Sequence, residues 1–207
     1  MALPNKRKYV IIMGILLLAF VLILVLIKLI NVKQQLDRYQ RRYLESFSSL
    51  KLVLGFRHRA VKNVVDAAQL YLLQEPQLGE HLAQSRDGAE KALLQTSRSL
   101  TADTVEALCG AEAQLNTLLK KLQSLIEQNR DGRHNSRLAG LLEILDAAEN
   151  DVVSARRIYN RDAEHYNQLL QKPPVCWCAK HLGHNQAAGI VQFDDNNVMQ
   201  MSRHLLM

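Results

Sequence analysis

Aromatic residues, glycine and proline are scarce in this sequence. Aromatic side chains make up 5% of the 207 residues, and there are only nine glycines and four prolines. β-Sheets favour aromatic and β-branched residues, and the turns between strands favour glycine and proline. Good helix formers, such as Leu, Ala, Gln, Glu, Lys and Arg, dominate instead. The composition therefore disfavours sheet-rich folds and predicts an all-α protein.

Motifs of the common enzyme classes are also absent from the sequence. The chain has no Gly-x-Ser-x-Gly, no glycine-rich phosphate loop, no His-Glu-x-x-His and no dinucleotide fingerprint. We therefore expect no catalytic residue and no cofactor, and we interpret the protein as non-enzymatic. Two sets of polar residues are expected to be exposed to solvent, the imidazoles of His58, His81, His134 and His165 and the carboxylates of Glu143, Asp146 and Glu149.

The excess of positive over negative charge is confined to one part of the chain. The formal net charge is +6, but residues 1–62 hold twelve Lys or Arg and two acids, whereas residues 63–207 hold fourteen Lys or Arg and eighteen acids. A domain that binds nucleic acid needs a basic face on its folded part to contact phosphates. Because the downstream part is acidic, we expect no nucleic-acid partner.

One uncharged run near the N-terminus is long enough to cross a membrane. The run from Tyr9 to Ile27 contains nineteen residues, which as a helix cover roughly 30 Å of hydrocarbon at about 1.5 Å per residue. A cleaved signal peptide would have an apolar region of about 7–15 residues and a small-residue cleavage site, and no Ala-x-Ala pattern follows the run. We predict an uncleaved transmembrane helix over residues 9–30, with the lipid bilayer as a partner.

Basic residues flank this apolar run on both sides. Three precede it and five follow it, namely Lys6, Arg7 and Lys8, then Lys28, Lys33, Arg38, Arg41 and Arg42. These cations are suited to anionic headgroups. The short charged tail favours a cytoplasmic N-terminus, whereas the larger number of cations after the run favours the opposite orientation. The sequence therefore predicts a single-pass protein of the cell membrane and leaves the side of the soluble domain open.

Helical periodicity organises the first part of the soluble domain. A long helix is predicted from Val32 to about Gln74, where Pro76 should end it. A weaker helix is expected from Glu80 to Ser97. Thr101 can cap a third helix that runs to about Gln128. The apolar stripe of this third helix is Val105, Leu108, Ala111, Leu115, Leu118, Leu122 and Leu125.

A polar turn separates that helix from the last one. Residues 129–135 contain a glycine and no apolar residue, which predicts that two helices meet there in antiparallel orientation. Ser136 or Asn135 can cap the last helix, which should end at Lys172-Pro173-Pro174. Only Asp162 fails to fit its buried seam of Leu138, Leu141, Leu145, Ala148, Val152, Ala155, Tyr159, Asp162, Tyr166 and Leu169.

These predictions divide the chain into four parts. Residues 1–8 form a basic tail and residues 9–30 the transmembrane helix. An antiparallel bundle of long helices follows over residues 31–172, and residues 173–207, which lack periodicity, form an irregular C-terminal tail.

Four residues of metal-ligating type lie close together in the C-terminal tail. Cys176, Cys178, His181 and His184 occur within nine residues, and thiolate and imidazole suit zinc. Structural zinc ligands, however, usually come as two pairs on separate elements. A metal- or redox-responsive tail is therefore the alternative interpretation, and we expect all three cysteines, including Cys109, to be free thiols.

Paired tyrosine and asparagine residues mark one segment of the last long helix. The segment contains Glu149-Asn150, Ala155-Arg156-Arg157-x-Tyr159-Asn160 and Tyr166-Asn167. In these residues it resembles the C-terminal signature of the LemA family of bacterial membrane proteins. The resemblance implies a single-pass anchor, a bundle of long helices and no established enzymatic activity.

Weaker similarities to the same family extend over most of the chain. They include the N-terminal apolar run, Arg57-His58-Arg59 with Asn63, Ala179-Lys180-His181-Leu182-Gly183 and Phe193-Asp194. The chain departs from the family pattern in two places. It lacks a proline near Asn63, and it carries Pro173-Pro174 and Trp177 in a cysteine-rich setting.

The spacing of the signature residues predicts how they are used. Tyr159 and Tyr166 are seven residues apart and so face one side of the helix, where each can bury its ring and use its hydroxyl. The asparagines lie on the adjacent flank, where they can bond loop backbone, and the arginines can meet carboxylates of neighbouring helices. We interpret six residues as structural, namely Arg156, Arg157, Tyr159, Asn160, Tyr166 and Asn167.

The leading functional hypothesis follows from the anchor and from the lack of a catalytic motif. It is a membrane-anchored helical scaffold or adaptor that recruits an as yet unidentified protein partner.

Overall fold

The structure is a computed structural model that describes residues 6–129 and 135–192, with side chains from residue 12 onward. Six α-helices and one 3₁₀ helix follow in chain order: α1 (Lys6–Ala67), α2 (Gln69–Leu72), α3 (Pro76–Arg98), α4 (Ala102–Gln128), α5 (Ser136–Gln171), α6 (Val175–Cys178) and the 3₁₀ helix (Ala179–Leu182). No strand occurs within these described ranges. The all-α prediction is confirmed.

The four long helices form an antiparallel bundle. α1 packs most extensively against α5 and also contacts α3, and α3 packs against α4. Tyr43 on α1 meets Tyr166 on α5, and Arg57 further along α1 meets Glu149 earlier in α5, so these two helices run in opposite directions. The short connections between α1 and α3 and between α3 and α4 reverse the chain twice. The result is an up-down-up-down arrangement of α1, α3, α4 and α5.

Helix α1 joins the apolar run to the bundle without a break. Residues 12–31 are exposed on all sides, and Leu36 is the first buried residue of the helix. This helix is long and apolar enough to cross a membrane, with a mean hydropathy of 3.1 in a window of which none is buried. The boundary predicted at residue 30 therefore lies inside one continuous helix, close to the point where its side chains begin to be buried in the bundle.

The chain reverses direction earlier than the sequence predicts. α1 ends at Ala67, whereas the periodicity predicted a helix to about Gln74. The short helix α2 then turns the chain so that Tyr71 and Leu72 are buried. Pro76 begins α3 rather than simply stopping α1, because its fixed φ suits the first turn of a helix. α3 is consequently longer than predicted at its N-terminus.

The predicted caps of α4 and α5 are confirmed. The Thr101 hydroxyl accepts a hydrogen bond from the Thr104 backbone N–H, and the Thr104 hydroxyl accepts one from the Thr101 N–H. At α5, Asn135 Oδ1 accepts from the Leu138 N–H at 3.1 Å. The connection between these helices, residues 130–134, contains most of the predicted turn and His134 and lies outside the described residues.

The buried stripes differ in part from those predicted. In α4, Leu119 and Ile126 are buried in place of the predicted Leu118 and Leu125, and Glu112 is buried next to Ala111. The apolar pairs Leu118-Leu119 and Leu125-Ile126 left two neighbouring faces of α4 possible as the buried one. The contact between Glu112 and α1 selects the face that is observed. In α5, Glu149, Arg156 and Ala163 join the buried seam, and Leu141, Ala155 and Asp162 are half-buried.

Two hydrophobic clusters fill the bundle, one above the other. The span-proximal core includes Leu36, Tyr43, Phe47, Leu50 and Leu54 of α1, Val105 and Leu108 of α4, and Val152, Tyr159, Tyr166 and Leu169 of α5. The span-distal core includes Val61 and Val64 of α1, Leu78 and Leu82 of α3, Leu115, Leu122 and Ile126 of α4, and Leu138 and Leu145 of α5. Between them α1, α4 and α5 contribute polar residues to the interior.

Candidate functional site

An ionic layer separates the two hydrophobic cores. We define it as Arg57 and His58 of α1, Glu112 and Asn116 of α4, and Glu149 of α5. Arg57 Nε donates to Glu149 Oε1 and Nη1 donates to Glu112 Oε2, both at 2.5 Å, and Nη2 donates to Asn116 Oδ1. Arg57 is only 2% exposed and Glu112 only 1%. One buried guanidinium therefore ties three helices together.

His58 completes the ionic layer from the α1 side. Its Nε2 lies 2.7 Å from Glu112 Oε1, so each carboxylate oxygen of Glu112 has a partner on α1. The His58 Nδ1 has no hydrogen-bond partner in the part of the chain that the structure describes. A neutral ring that donates from Nε2 avoids burying an unpaired Nδ1–H.

Burial also changes the acid–base behaviour of the layer. Removal from water raises the pKa of the Glu149 carboxyl, and the nearby Arg57 guanidinium opposes this effect. The Arg57 guanidinium therefore favours the ionised form of Glu149, which burial disfavours.

Two residues of this layer were predicted to be solvent-exposed, and both predictions are wrong. His58 is 5% exposed and Glu149 is 7% exposed. They are buried because their helix faces turn towards the interior, where Glu112 and Arg57 provide partners. His81, Glu143 and His165 are exposed as predicted, and Asp146 is half-buried.

A signal for the ionic layer was present in the spacing of α1. Arg57 falls seven residues after Leu50 and seven before Val64, and all three are buried. Glu112 stands in the same relation to Val105 and Leu119 in α4. Charged residues at positions that the heptad assigns to the interior thus mark the layer.

A second set of polar contacts fastens the end of the described chain to the bundle. We call residues 183–192 the C-terminal strap. Asn160 Nδ2 donates to the Val191 carbonyl at 2.7 Å, and the Val191 N–H donates to Asn160 Oδ1 at 2.9 Å. Asn167 and Ala188 repeat this reciprocal pair at 2.9 and 2.7 Å. Each asparagine amide thereby donates one hydrogen bond to the backbone of a strap residue and accepts one from it, as the backbone of a neighbouring β-strand would do.

The spacing of the two asparagines suits an extended chain. Seven residues of α-helix advance about 10.5 Å, and three residues of extended chain cover about 10 Å. The asparagines are seven residues apart on α5, and their strap partners Ala188 and Val191 are three apart. The strap runs antiparallel to α5 and can therefore bond to both asparagine side chains at the same time.

The two signature tyrosines bind the strap from the same face of α5. The Tyr159 hydroxyl donates to the Gly189 carbonyl at 2.7 Å. The Tyr166 hydroxyl lies 3.1 Å from His184 Nδ1, and His184 Nε2 lies 3.1 Å from Asp37 Oδ1 on α1. Burial raises the pKa of Tyr166 to about 12 and also raises that of Tyr159. Both hydroxyls remain protonated near neutral pH and can donate.

Gly189 lets the strap approach α4 closely. A Cβ at this position would lie 2.9 Å from Val105 Cβ and 3.1 Å from Ala102 Cα. Gln192 continues along α4, where its backbone N–H points to Cys109 Sγ at 3.4 Å. The strap thus bridges α5 and α4.

The strap contacts correct part of the prediction for the tail. Residues 175–182 are helical rather than irregular, and the strap has no regular secondary structure but is held at five of its residues, His184, Ala188, Gly189, Val191 and Gln192. The strap contacts follow no periodic pattern in the sequence, which is why they were not predicted. Phe193 and Asp194, which belong to the family resemblance, lie outside the described residues.

The two arginines of the signature behave differently. Arg156 is buried, at 6% exposure, on the same seam as Glu149 and Ala163. Arg157 is exposed. Asp162, the residue that did not fit the seam, accepts a hydrogen bond from the Ser46 hydroxyl of α1 at 2.5 Å. The signature is thus directed towards neighbouring helices and the strap.

The four candidate metal ligands are not brought together. Cys176 and His181 are exposed, and the half-buried Cys178 directs its thiol to the Pro174 and Val175 carbonyls. His184 faces Tyr166 and Asp37 instead. No group of three or more His, Cys, Asp or Glu residues suited to a metal occurs in the described chain. All three cysteines are free, and burial raises the pKa of the Cys109 thiol.

Replacing Arg57 by Met tests the ionic layer. The change leaves two buried carboxylates without their cation, and we expect it to lower the free energy of unfolding by about 3–5 kcal/mol. Urea unfolding of the full chain in detergent, followed by circular dichroism, measures this loss. Adding Glu112→Gln and Glu149→Leu should recover much of it, because the remaining charges are removed. Exposed Arg59→Ala is the control, and an equal effect of Arg57→Met would contradict the role of the layer.

Substitution of Gly189 by Ala tests the close approach of the strap. The added methyl group cannot fit between the strap and Val105, so we expect a loss of about 1–3 kcal/mol and faster proteolysis of the strap. Gly140→Ala is the control, since nothing lies within 4 Å of the added Cβ. It should instead stabilise α5 by about 0.5–1 kcal/mol. Unchanged proteolysis in Gly189→Ala would show that the strap is not packed in this way.

The asparagine contacts can be tested by hydrogen exchange. Asn167→Leu removes the acceptor of the Ala188 N–H, which should exchange faster, while Asn167→Asp keeps that acceptor and should preserve more protection. Asn150→Ala is the control, because Asn150 is exposed and its amide donates to the Asp146 carbonyl on the same helix. Equal protection of Ala188 in the wild type and in Asn167→Leu would exclude the contact.

Comparison with known proteins yields one match. The family model described as LemA family matches residues 46–201. These residues include the ionic layer, the six signature residues and the strap. No curated protein and no solved structure matches the chain significantly.

Proposed function

Because this chain belongs to the LemA family, which is not known as enzymatic, we propose that it is a membrane-anchored helical scaffold or adaptor. The apolar part of α1 anchors it in the bacterial cytoplasmic membrane, and the bundle recruits protein partners. The observation that carries the proposal is the continuity of α1, which passes from an apolar segment exposed on all sides into the core of the bundle.

The exposure of the apolar segment supports a lipid environment. Its side chains, such as Leu17 at 66% and Phe20 at 60%, are exposed around the whole helix. Exposing this much apolar surface to water is unfavourable by roughly 25 cal/mol per Å². In a helix every backbone amide is already bonded internally, which is the condition that the bilayer imposes.

The nature of the polar clusters supports a structural rather than a catalytic role. Arg57, Glu112 and Glu149 are buried and bond to one another, and the signature tyrosines bond to His184 and to strap backbone. Groups engaged in this way fix helix positions. We therefore assign the buried polar groups of the fold to architecture, and partner binding to the outer surface.

The far end of the bundle is well placed for a partner. Ala67 lies 37 residues beyond Ile30 on the same helix, which is about 55 Å at 1.5 Å per residue. The adjoining α2 and its C-terminal cap expose two leucines, Leu70 at 74% and Leu73 at 75%. We propose this end as the position at which partners are held away from the membrane.

Site-specific crosslinking tests the proposal. A photo-reactive residue at Leu70 or Leu73 in the full chain in intact cells should give one reproducible crosslinked protein. The same residue at Leu94, which is 47% exposed on α3, is the control and should give less of that product. The absence of a reproducible product from every position, together with hydrolase activity of the purified chain, would overturn the scaffold assignment.

A further inference from the structure

Trp177 is the most unusual exposed residue of the bundle. It is the only tryptophan in the sequence and is 75% exposed, whereas tryptophan is on average highly buried in folded proteins. It lies on α6, whose residue Val175 is buried in the span-proximal core. α6 is thus fixed by one side chain while it presents a large aromatic ring to its surroundings.

The contacts of α6 place it at the start of the bundle, next to the apolar part of α1. Val32 packs against the cluster that contains Val175 and Ala179. The 3₁₀ helix that follows α6 contacts α1, and His184 reaches Asp37. Helix α6 therefore lies at about the level of residues 32–37 of α1.

This level corresponds to the headgroup layer of a bilayer. Val32 and Leu36 follow Ile30, the last residue of the predicted transmembrane helix, by two and six residues, which is about 3–9 Å along the helix. The headgroup region adds roughly 5–7 Å to each side of the hydrocarbon. A side chain at this height meets the polar–apolar boundary, where the amphipathic ring of tryptophan is favoured.

The charges around α6 suit the same surroundings. Residues 172–184 contain Lys172 and Lys180, both exposed, and no acidic residue. On α1, the exposed Arg38 and Arg41 lie at the same end of the bundle. Such cations attract anionic headgroups by about 1 kcal/mol each. The exposed ring and these exposed cations therefore occur at the same end of the bundle.

We infer that α6 lies in the headgroup layer of the membrane that α1 crosses, with Trp177 inserted at the interface, so that lipid contacts the bundle at a second point. The inference rests on the proposed anchoring of α1. It adds a lipid contact that fixes the tilt and rotation of the bundle, which a single helical anchor leaves free.

Because Trp177 is the only tryptophan, its fluorescence tests the inference in the full chain. The protein is reconstituted in phosphatidylcholine–phosphatidylglycerol vesicles with or without bromine on the upper acyl chain. Trp177 should lose roughly half of its emission in the brominated vesicles, as expected for an interfacial ring, and should be shielded from aqueous acrylamide.

Two variants supply matched controls. Trp177→Phe with Leu73→Trp moves the single tryptophan to the far end at the same 75% exposure, where acrylamide rather than brominated lipid should quench it. Trp177→Phe with Phe20→Trp places it near the middle of the apolar segment, about 15 Å from either edge, where lipid brominated near the end of the acyl chain should quench it strongly. This second variant reports whether the anchor itself is inserted.

The outcomes separate the two proposals. Quenching at position 20 without quenching at Trp177 would overturn the lipid contact and leave the anchor intact. Shielding of Trp177 from acrylamide without quenching by brominated lipid would mean that protein covers it, and would also overturn the inference. A lack of quenching at position 20 would overturn the anchor and, with it, the contact of α6.

Discussion

The bundle depends on one buried guanidinium. Arg57 bonds to Glu112 and Glu149, so α1, α4 and α5 meet at one height. Breaking a buried ion pair costs about 3–5 kcal/mol, whereas replacing all of its members by apolar residues is often neutral. The layer therefore contributes register more than net stability. If α1 slipped by one heptad, about 10 Å, the apolar side chains above and below the layer would still pack against apolar neighbours. The slip would, however, place Leu50 or Val64 in the position of Arg57, against the carboxylate of Glu149.

That register determines where the strap can bind. The signature residues lie on α5 within about five turns of Glu149, so fixing Glu149 against α1 also fixes the height of the asparagine amides and tyrosine hydroxyls. His184 then meets Tyr166 of α5 and Asp37 of α1 at the same time. This contact requires both helices to be in their observed register, because the imidazole uses one nitrogen for each. The strap thereby links α1 and α5 at the span-proximal end of the bundle, as the ionic layer links them at its middle.

The helical periodicity of the sequence predicted the features that repeat along the helices, and it missed the ionic layer and the strap, which each occur once. The caps at Thr101 and Asn135, and the common face of Tyr159 and Tyr166, follow from local chemistry and helical spacing and could be read from the sequence. The burial of Arg57, Glu112 and Glu149 was missed because charge was taken as a sign of the surface, although the seven-residue spacing of Arg57 and Glu112 from buried apolar residues placed those two inside. The strap was missed for another reason, since an extended segment bonded to side chains of a distant helix has no period. The early end of α1 depended on tertiary burial of Tyr71 and Leu72, which local sequence does not encode.

The same contacts explain how buried residues control an exposed surface. α6 and the 3₁₀ helix lie between two fixed points, the end of α5 at Lys172 and the strap at His184. With only the first point fixed, the twelve residues that follow would be a tail with no defined height above the apolar segment. The second point is held by the contacts of His184 with Tyr166 and Asp37, and the asparagine amides of α5 extend it along the strap by bonding to Ala188 and Val191. The buried tyrosines and half-buried asparagines of α5 therefore influence the position of Trp177 on the outer surface, because they fasten the strap to which its short helix leads.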